Sequence, residues 1–545
     1  MNYDIIVVGG GHAGCEAALA CAKTGHATLL VCLSFDAIAL MPCNPHIGGT
    51  AKGHLVREID ALGGAMGLVA DKSLLQIKML NRTKGPAVYS LRAQSDKVWY
   101  HENMMKVLHS APNLDLLEGE VAELCVDENK IIGVRLKSGE MITAKAVVLA
   151  AGVYLNSSIV TGEETKKGGP SGYAPATLLT DSLVKLGIDI RRFKTGTPAR
   201  IYRDSIDYSK MEIQEGEDIH AFSFMTDEKA VNLMPCYLTY TNEKTHEIIR
   251  ENIERSPLYN GTITGVGPRY CPAVEVKIMR FPDKSRHQIF VEPEGFDSDE
   301  VYVQGMSTSM PKDVQEKMYR TISGMENCKF AKYGYAIEYD CINPIELSPS
   351  LAVKKVAGLY SAGQLNGSSG YEEAAAQGLI AGINASRFVD NKPPYIVGRD
   401  KAYIGVLIDD LTTKGTLEPY RMMTSRAEYR IYLRQDNADR RLTEDGYELG
   451  LATEDRYQKY KKKMAQIEKL EKNADEILPK DKTAAVLLSL DETVPEHPLS
   501  LADLMRRPAV QFENIRPLVG DEFSDEVLET LRVQIKYEGY LNKQS

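Results

Sequence analysis

The chain has no CxxC pair, no HxH or HExxH spacing, no internal repeat or low-complexity tract, and no excess of positive charge. Nine cysteines, an odd number without close pairing, exclude a disulfide framework and a zinc ribbon, and the histidine spacing gives no reason to expect a metal. The N-terminal apolar run, Ile5–Val8, is short, follows Asp4 and leads directly into glycines. That pattern excludes a signal peptide and a membrane span, leaving the cytoplasm as the expected compartment. A formal net charge of −10 does not advertise a nucleic-acid partner, although local clusters can outweigh the total. Hydrophobic and charged contents of 43% and 26% are those of a folded globular protein, and 545 residues predict two to four domains.

What the chain has instead begins at Tyr3–Cys32, where an apolar run, a glycine turn, an alanine-rich helix pattern and a second apolar run follow one another. A dinucleotide pyrophosphate needs this order of parts. Gly9 permits the tight turn, Gly11 lets backbone approach phosphate, and Gly14 lets the helix pack closely on the strand with its N-terminal amides facing the anion. The second strand lacks the acid that would hold a ribose, and Asp36 is the first available. A later strand signal at Ala146–Ala150 and short hairpins around Glu118–Lys137 are similar to the layout of a flavoprotein dinucleotide domain.

Residues from about 200 to 275 turn rich in Tyr, Thr and Asn and predict an inserted, mainly β or mixed domain. A strand and glycine turn at Gly358–Gln364 then precede a small-residue helix over Gly370–Asn384, whose N-terminus is expected to point at the cofactor. From Pro394 the chain reads mostly helical, with a charged amphipathic stretch at Tyr457–Leu478. Arg421–Arg441 holds six arginines against three acids at helical spacing. It reads either as a solvated helix face with internal ion pairs or as an anion- or RNA-binding face; the second reading gives Arg421, Arg426, Arg430 and Arg434 to RNA.

Two cysteines stand apart. Cys43 lies in a loop with two prolines and two glycines ahead of a helix that starts near Lys52, and Cys271 is flanked by prolines and sits next to Arg269. Both settings suit a reactive thiolate, favoured at Cys43 by the helix N-terminal amides and Lys52 and at Cys271 by Arg269. Cys15, Cys21 and Cys32 read as packing within the first unit, and Cys125, Cys236, Cys328 and Cys341 as structural. His46, His54 and His287 are candidate proton carriers.

A series of long words then places the chain. GGGHAG at Gly9–Gly14, CNPHIGG at Cys43–Gly49, KGHLVREIDALGG at Lys52–Gly64, LRAQSDK at Leu91–Lys97 and KTGTPARI at Lys194–Ile201 are followed by GVGPRYCP at Gly265–Pro272, HQIFVEPEG at His287–Gly295, GYEEAAAQGL at Gly370–Leu379 and EPYRMMTSRAEYR at Glu418–Arg430. In this order they resemble the bacterial and organellar tRNA uridine carboxymethylaminomethyl modification enzymes, the MnmG or GidA family. The resemblance implies an α/β fold: a glutathione-reductase-type FAD-binding Rossmann-like domain (residues 1–199 and 331–393), an inserted NADH-binding domain (200–330) and a mainly helical C-terminal domain (394–545). It also implies a further helical segment beyond Ser545.

The implied activity is modification of the wobble uridine of tRNA by a homodimer working with the GTPase MnmE. Methylenetetrahydrofolate supplies one carbon, NADH the electrons, and glycine or ammonium the amine. By the same resemblance FAD rests on Gly9, Gly10, Gly11, His12, Ala13 and Gly14, with Val121, Thr180 and Gln364. The nicotinamide nucleotide uses Gly267, Pro268, Arg269, Tyr270, Glu275, Lys277, Arg280 and Phe281, and Cys43 and Cys271 are the catalytic thiols. Such thiols have a chemical rationale: thiolate addition at carbon 6 of uracil makes carbon 5 nucleophilic, and a second thiol can carry the proton. The alternatives are the related folate-dependent tRNA uridine methyltransferase TrmFO, a shorter enzyme lacking the C-terminal words, and a flavin dehydrogenase for a small substrate.

Overall fold

The structure, a computed structural model, describes residues 2–541. At its centre is a parallel sheet of β1 (Ile5–Val8), β2 (Thr28–Cys32), β3 (Leu114–Glu118), β4 (Ala146–Leu149) and β5 (Leu359–Ser361), in the order β5-β4-β1-β2-β3. Ile5 faces Thr28 on one side and Ala146 on the other, and Val147 faces Leu359. Every residue of β1, β2 and β4 is buried, which is why these strands read as unbroken apolar runs rather than alternating ones.

Helix α1 (His12–Lys23) follows the glycine turn, α2 (Lys52–Ala61) follows the Cys43 loop, and α3 (Tyr371–Val389) follows β5. The Ala- and Gly-rich composition of α1 and α3 has one cause. A Cβ at Gly378 would lie 2.0 Å from the Ala13 carbonyl oxygen, and one at Gly382 would lie 2.6 Å from that of Ala17. The two helices touch backbone to backbone, so both N-termini come to the same end of the sheet.

Between β4 and β5 the chain builds two antiparallel sheets. One joins Ser158–Thr161, Glu164–Lys167, Ile190–Thr197 and Tyr335–Ile342. The other has six strands drawn from Arg200–Tyr202 to Phe330–Lys332, with Gln288–Pro293 and Glu300–Gln304 paired at its middle. Its own apolar core includes Ile201, Ile289, Val303 and Tyr319. A third core, holding Ile467, Leu487, Leu504 and Leu528, lies among the last helices. Side chains from Val397 to Leu451 instead pack in the first core, past the boundary expected at residue 394.

Buried ion pairs seat the later helices on α2. Arg441 Nη1 donates to Glu58 at 2.9 Å and Arg456 Nη1 to Asp60 at 2.8 Å, with both carboxylates fully buried. The Tyr403 and Ile404 amides complete the Glu58 acceptor set at 2.9 and 3.0 Å. Among the described residues no helix is long and apolar enough to cross a membrane.

One expectation is corrected here. Arg421–Arg441 does not form an arginine-lined helix: it holds a single helical turn at Thr424–Arg426, and regular helix begins only at Ala438. Its arginines recur at helical spacing, but the backbone is drawn away by tertiary hydrogen bonds, such as the Met422 amide to Glu373 Oε1 at 3.0 Å.

Candidate active site

The glycine turn, the α3 N-terminus, the Cys43 loop and the Cys271 loop wall a single cleft with a cavity of about 240 Å³. At the turn, Gly9 takes a φ of +108°, and a Cβ there would lie 2.2 Å from the Ala150 carbonyl oxygen. A Cβ at Gly14 would come within 1.7 Å of Gly9 O, whereas at Gly11 nothing lies within 4 Å. The first and third glycines are therefore needed for packing, and the second presents open backbone to the cleft. His12 Nδ1 is buried without a partner, while Nε2 meets the Leu40 carbonyl at 3.0 Å. Burial drives the His12 imidazolium down to about 4, so the ring is neutral. Open backbone at Gly11, two converging helix N-termini and an unsatisfied polar atom beside them fit the pyrophosphate of a dinucleotide.

Gly9 to Ala13, Val121 and Gln364 line this cleft. Gly14 and Thr180 do not: Gly14 packs α1 on β1, and Thr180 Oγ1 donates to Asp340 Oδ2 at 3.0 Å, leaving its neighbour Leu179 at the wall. At the end of β2 the wall is Leu33 and Ser34, not Asp36.

Cys43 and Cys271, more than two hundred positions apart, both face this cleft. Cys43 Sγ lies 3.5 Å from Tyr302 Oη and 3.6 Å from Gly196 O. Burial, then the two thiols, push the Tyr302 phenol well above its ordinary range, so it stays protonated. The backbone around Cys43 is clamped. Its carbonyl accepts from Lys97 Nζ at 3.0 Å and Arg200 Nη2 at 2.9 Å, and its amide donates to Tyr371 Oη at 3.0 Å. Glu294 bridges the two cations, at 2.7 Å from Lys97 Nζ and in contact with Arg200 Nε. Burial drives the Lys97 ammonium down to about 8 against the pull of Glu294. Burial raises the Glu294 carboxyl, but Arg200 and Lys97 outweigh it and hold the group below its ordinary value.

Lys52, expected beside Cys43, instead pairs with Glu372 and Glu373 at 3.2 and 3.1 Å. Sequence reasoning missed Lys97, Arg200, Glu294 and Tyr302. All but Tyr302 lie inside or at the ends of the recurring words, yet nothing in a linear word shows that they converge.

Of the remaining thiols only Cys32 reaches the cleft wall, and all but the half-buried Cys125 are buried. Burial holds the thiols of Cys21, Cys32, Cys236 and Cys341 up at about 12 and that of Cys328 at about 11. Of the histidines, only His46 joins His12 at the cleft. His54 is buried and lies 3.5 Å from Ser90 Oγ, and His287 lies tilted against His246 with ring centroids 5.5 Å apart. Among the described residues no group of three His, Cys, Asp or Glu side chains is placed to hold a metal ion.

The eight residues expected to meet a nicotinamide nucleotide are divided. Pro268 lines the cleft; Arg269 pairs with Glu418 at 3.1 Å; Tyr270, Arg280 and Phe281 are exposed. Gly267 packs on Lys194, Lys277 Nζ donates to Gly305 O at 3.3 Å, and Glu275 is fully buried, its carboxyl pushed up by desolvation. The four arginines expected to meet RNA divide likewise. Arg430 is exposed, Arg426 caps the Arg421 carbonyl at 2.8 Å, and Arg421 lines the cleft. Arg434 is 3% exposed and spent on Asp436, at 2.9 and 3.0 Å, which removes it as a phosphate contact.

Behind His46, Glu292 is buried with Oε1 on Arg92 and Oε2 unpartnered, 3.9 Å from His46 Nε2. Desolvation raises this carboxyl to about 7 despite Arg92. Glu292 is therefore protonated below about pH 7 and ionised above it. The native state gains stability from that proton below about 4.5 and loses it as pH climbs through about 7. Infrared difference spectra across this range should show a carboxylic-acid carbonyl band that bleaches as pH rises and is missing from Glu292→Gln; a band that persists in the variant assigns the proton elsewhere.

Comparisons with known proteins agree along the whole chain. The family described as "Glucose inhibited division protein A" matches residues 4–393, and "tRNA modifying enzyme MnmG/GidA C-terminal helical domain" matches residues 454–545. The tRNA uridine 5-carboxymethylaminomethyl modification enzyme MnmG of Caldicellulosiruptor saccharolyticus is 56% identical over 550 residues, covering 100% of this chain and 88% of its own. The protein of the same name from Clostridium botulinum is 55% identical with the same coverage. Among solved structures, Aquifex aeolicus GidA in its form I crystal superposes with a TM-score of 0.92 at 45% identity, over 100% of this chain and 89% of that one.

Proposed function

The chain belongs to the MnmG/GidA family of tRNA uridine modification enzymes, and on that premise we propose that it builds the carboxymethylaminomethyl or aminomethyl group on carbon 5 of the tRNA wobble uridine, with Cys43 and Cys271 as its working thiols. The observation that carries this reading is the meeting of both loop thiols in the cleft that begins at the glycine turn.

FAD fits that cleft by the open backbone at Gly11, the unpartnered His12 Nδ1 and the paired helix N-termini, with Gly9–Ala13, Val121 and Gln364 as its contacts. Bound there, FAD supplies the two-electron redox chemistry of the reaction. The thiols act on the base. One thiolate adds to carbon 6, forming the sulfur–carbon bond and leaving an enolate whose carbon 5 attacks an electrophilic methylene. A base then removes the carbon 5 proton, the sulfur–carbon bond breaks, and the ring regains aromaticity. The clamp of Lys97, Arg200 and Tyr371 on the Cys43 backbone fixes where that sulfur sits, and near-attack geometry is worth large factors in rate.

The proposal takes methylenetetrahydrofolate as one-carbon donor, glycine or ammonium as amine, and NADH as electron source on the Gly267–Phe281 side of the cleft. Of the arginines expected to meet tRNA, the exposed Arg430 and the half-buried Arg426 remain for that role. A cytoplasmic homodimer with MnmE as partner follows from the resemblance. The match of the C-terminal helical domain over residues 454–545 favours this activity over the shorter methyltransferase.

Mass-spectrometric nucleoside analysis of tRNA from cells lacking the gene tests the reading. Carboxymethylaminomethyl and aminomethyl uridines should disappear and return with the wild-type gene. Unchanged wobble uridines in the deletion strain would sink it.

A further inference from the structure

We propose that Arg421 positions the Cys271 thiol over the cleft, holding both the loop that carries it and the sulfur itself. This rests on Cys271 being a working thiol of the site. Arg421 was expected on an RNA-facing helix; the structure turns it inward, so that it lines the cleft with Cys271. Its Nη1 donates to the Tyr270 carbonyl at 3.3 Å, which sets the guanidinium beside the next residue, Cys271, at the same cleft wall. Nε is buried without a partner, so the group keeps donor capacity at the cleft wall.

The support behind Arg421 is rigid. Tyr420 Oη donates to Asp410 at 2.7 Å, the Tyr420 amide to Gly367 O at 2.8 Å, and the Met422 amide to Glu373 at 3.0 Å. Arg426 closes on the Arg421 carbonyl at 2.8 Å and stacks over the Tyr420 ring at 4.1 Å. Opposite this edge, Arg269 to Cys271 is exposed and tied to the same segment a second time through Arg269–Glu418 at 3.1 Å. An exposed loop therefore leans on a fixed one, through Arg421 on the Tyr270 carbonyl and Arg269 on Glu418.

The other titratable groups facing Cys271 are Lys194, Lys277 and Tyr302. Burial depresses both ammonium groups, and the phenol stays neutral. Arg421 alone among them is a cation at every accessible pH, and its planar fork has donors enough to meet a carbonyl and a neighbouring sulfur together.

The test is alkylation of Cys271 by iodoacetamide in the FAD-bound protein across pH, followed by mass spectrometry of the Cys271 peptide. In Arg421→Gln the rate profile should move to higher pH by about one unit or more, the effect of removing one adjacent opposite charge. Arg421→Lys should recover part of the shift, and alkylation of Cys43 should keep its profile. Retained flavin absorption shows that each variant is folded; if Arg421→Gln does not hold FAD, Arg421→Lys is read alone and must lie above wild type. Coincident profiles, or rates lowered equally in both variants with no movement along pH, overturn the proposal. The readout uses no tRNA, so it fails separately from the functional reading, which falls if Cys271→Ser still modifies tRNA.

Discussion

Cys43→Ser is expected to abolish tRNA modification while leaving FAD bound and the fold intact, and Cys271→Ser to do the same. A serine hydroxyl is far less acidic than a thiol and adds poorly to a pyrimidine ring, so the loss should be at least about 10³-fold, in line with nucleophile removals in enzymes that use covalent intermediates. Neither change touches the glycine turn. Cys43 Sγ makes only long contacts, at 3.5 and 3.6 Å, so its replacement removes little packing. Purified variants should keep the visible flavin spectrum and wild-type thermal midpoint, and nucleoside analysis of complemented deletion cells should find no side chain at carbon 5. Full modification by either variant would remove that thiol from the mechanism. The double variant should be no worse than each single one, because groups that act in one step are not additive.

The second large effect is expected at Glu294. Its carboxylate is the shared partner of Arg200, which is buried, and of Lys97, which is mostly so, and Glu294→Gln leaves two cations facing each other without it. Breaking a buried ion pair by removing one partner costs about 3–5 kcal/mol, since the surviving charge stays desolvated. Arg200 cannot give up its proton, whereas Lys97, already driven down to about 8 by burial, loses the pull that opposed that drop. Deprotonation weakens its grip on the Cys43 carbonyl, now held at 3.0 Å. Urea unfolding should therefore show a marked fall in the midpoint, and Cys43 should become more exposed to alkylation in the remaining native fraction. A change under about 1 kcal/mol, with Cys43 alkylated as in the wild type, would mean that the clamp does not hold the loop.

How far the site was legible varies residue by residue. Gly9, Gly11 and Gly14 lie within one short turn, the first and third answering steric demands and the second leaving backbone open, so their roles follow from spacing once strand and helix are recognised. The proline- and glycine-bounded settings of Cys43 and Cys271 were also local, and they separated these two from seven other cysteines. The arginines were misleading for the same reason that made them visible. Spacing of four suggests a helix face, but Arg434 folds back on Asp436 and Arg421 turns into the cleft, because backbone partners on α3 and near Gly367 outcompete helical hydrogen bonds there. Glu294 looked like any acid in a polar word.

The sequence by itself determined the α/β class, the glycine turn, the two loop thiols that the fold brings to one cleft and, through long words in a fixed order, the family. Those signals are short-range or cumulative: a turn, a loop, a string of matches. Only the tertiary structure decided that residues 43, 271 and 421 line one cleft, that residues 97, 200, 294 and 302 gather around Cys43, that Lys52 serves Glu372 and Glu373 rather than Cys43, and that Arg434 is interior. The physical reason is that charge pairing and desolvation act through space. Each depends on which distant strands the sheet brings together, and strand order is not written in the spacing of any one segment.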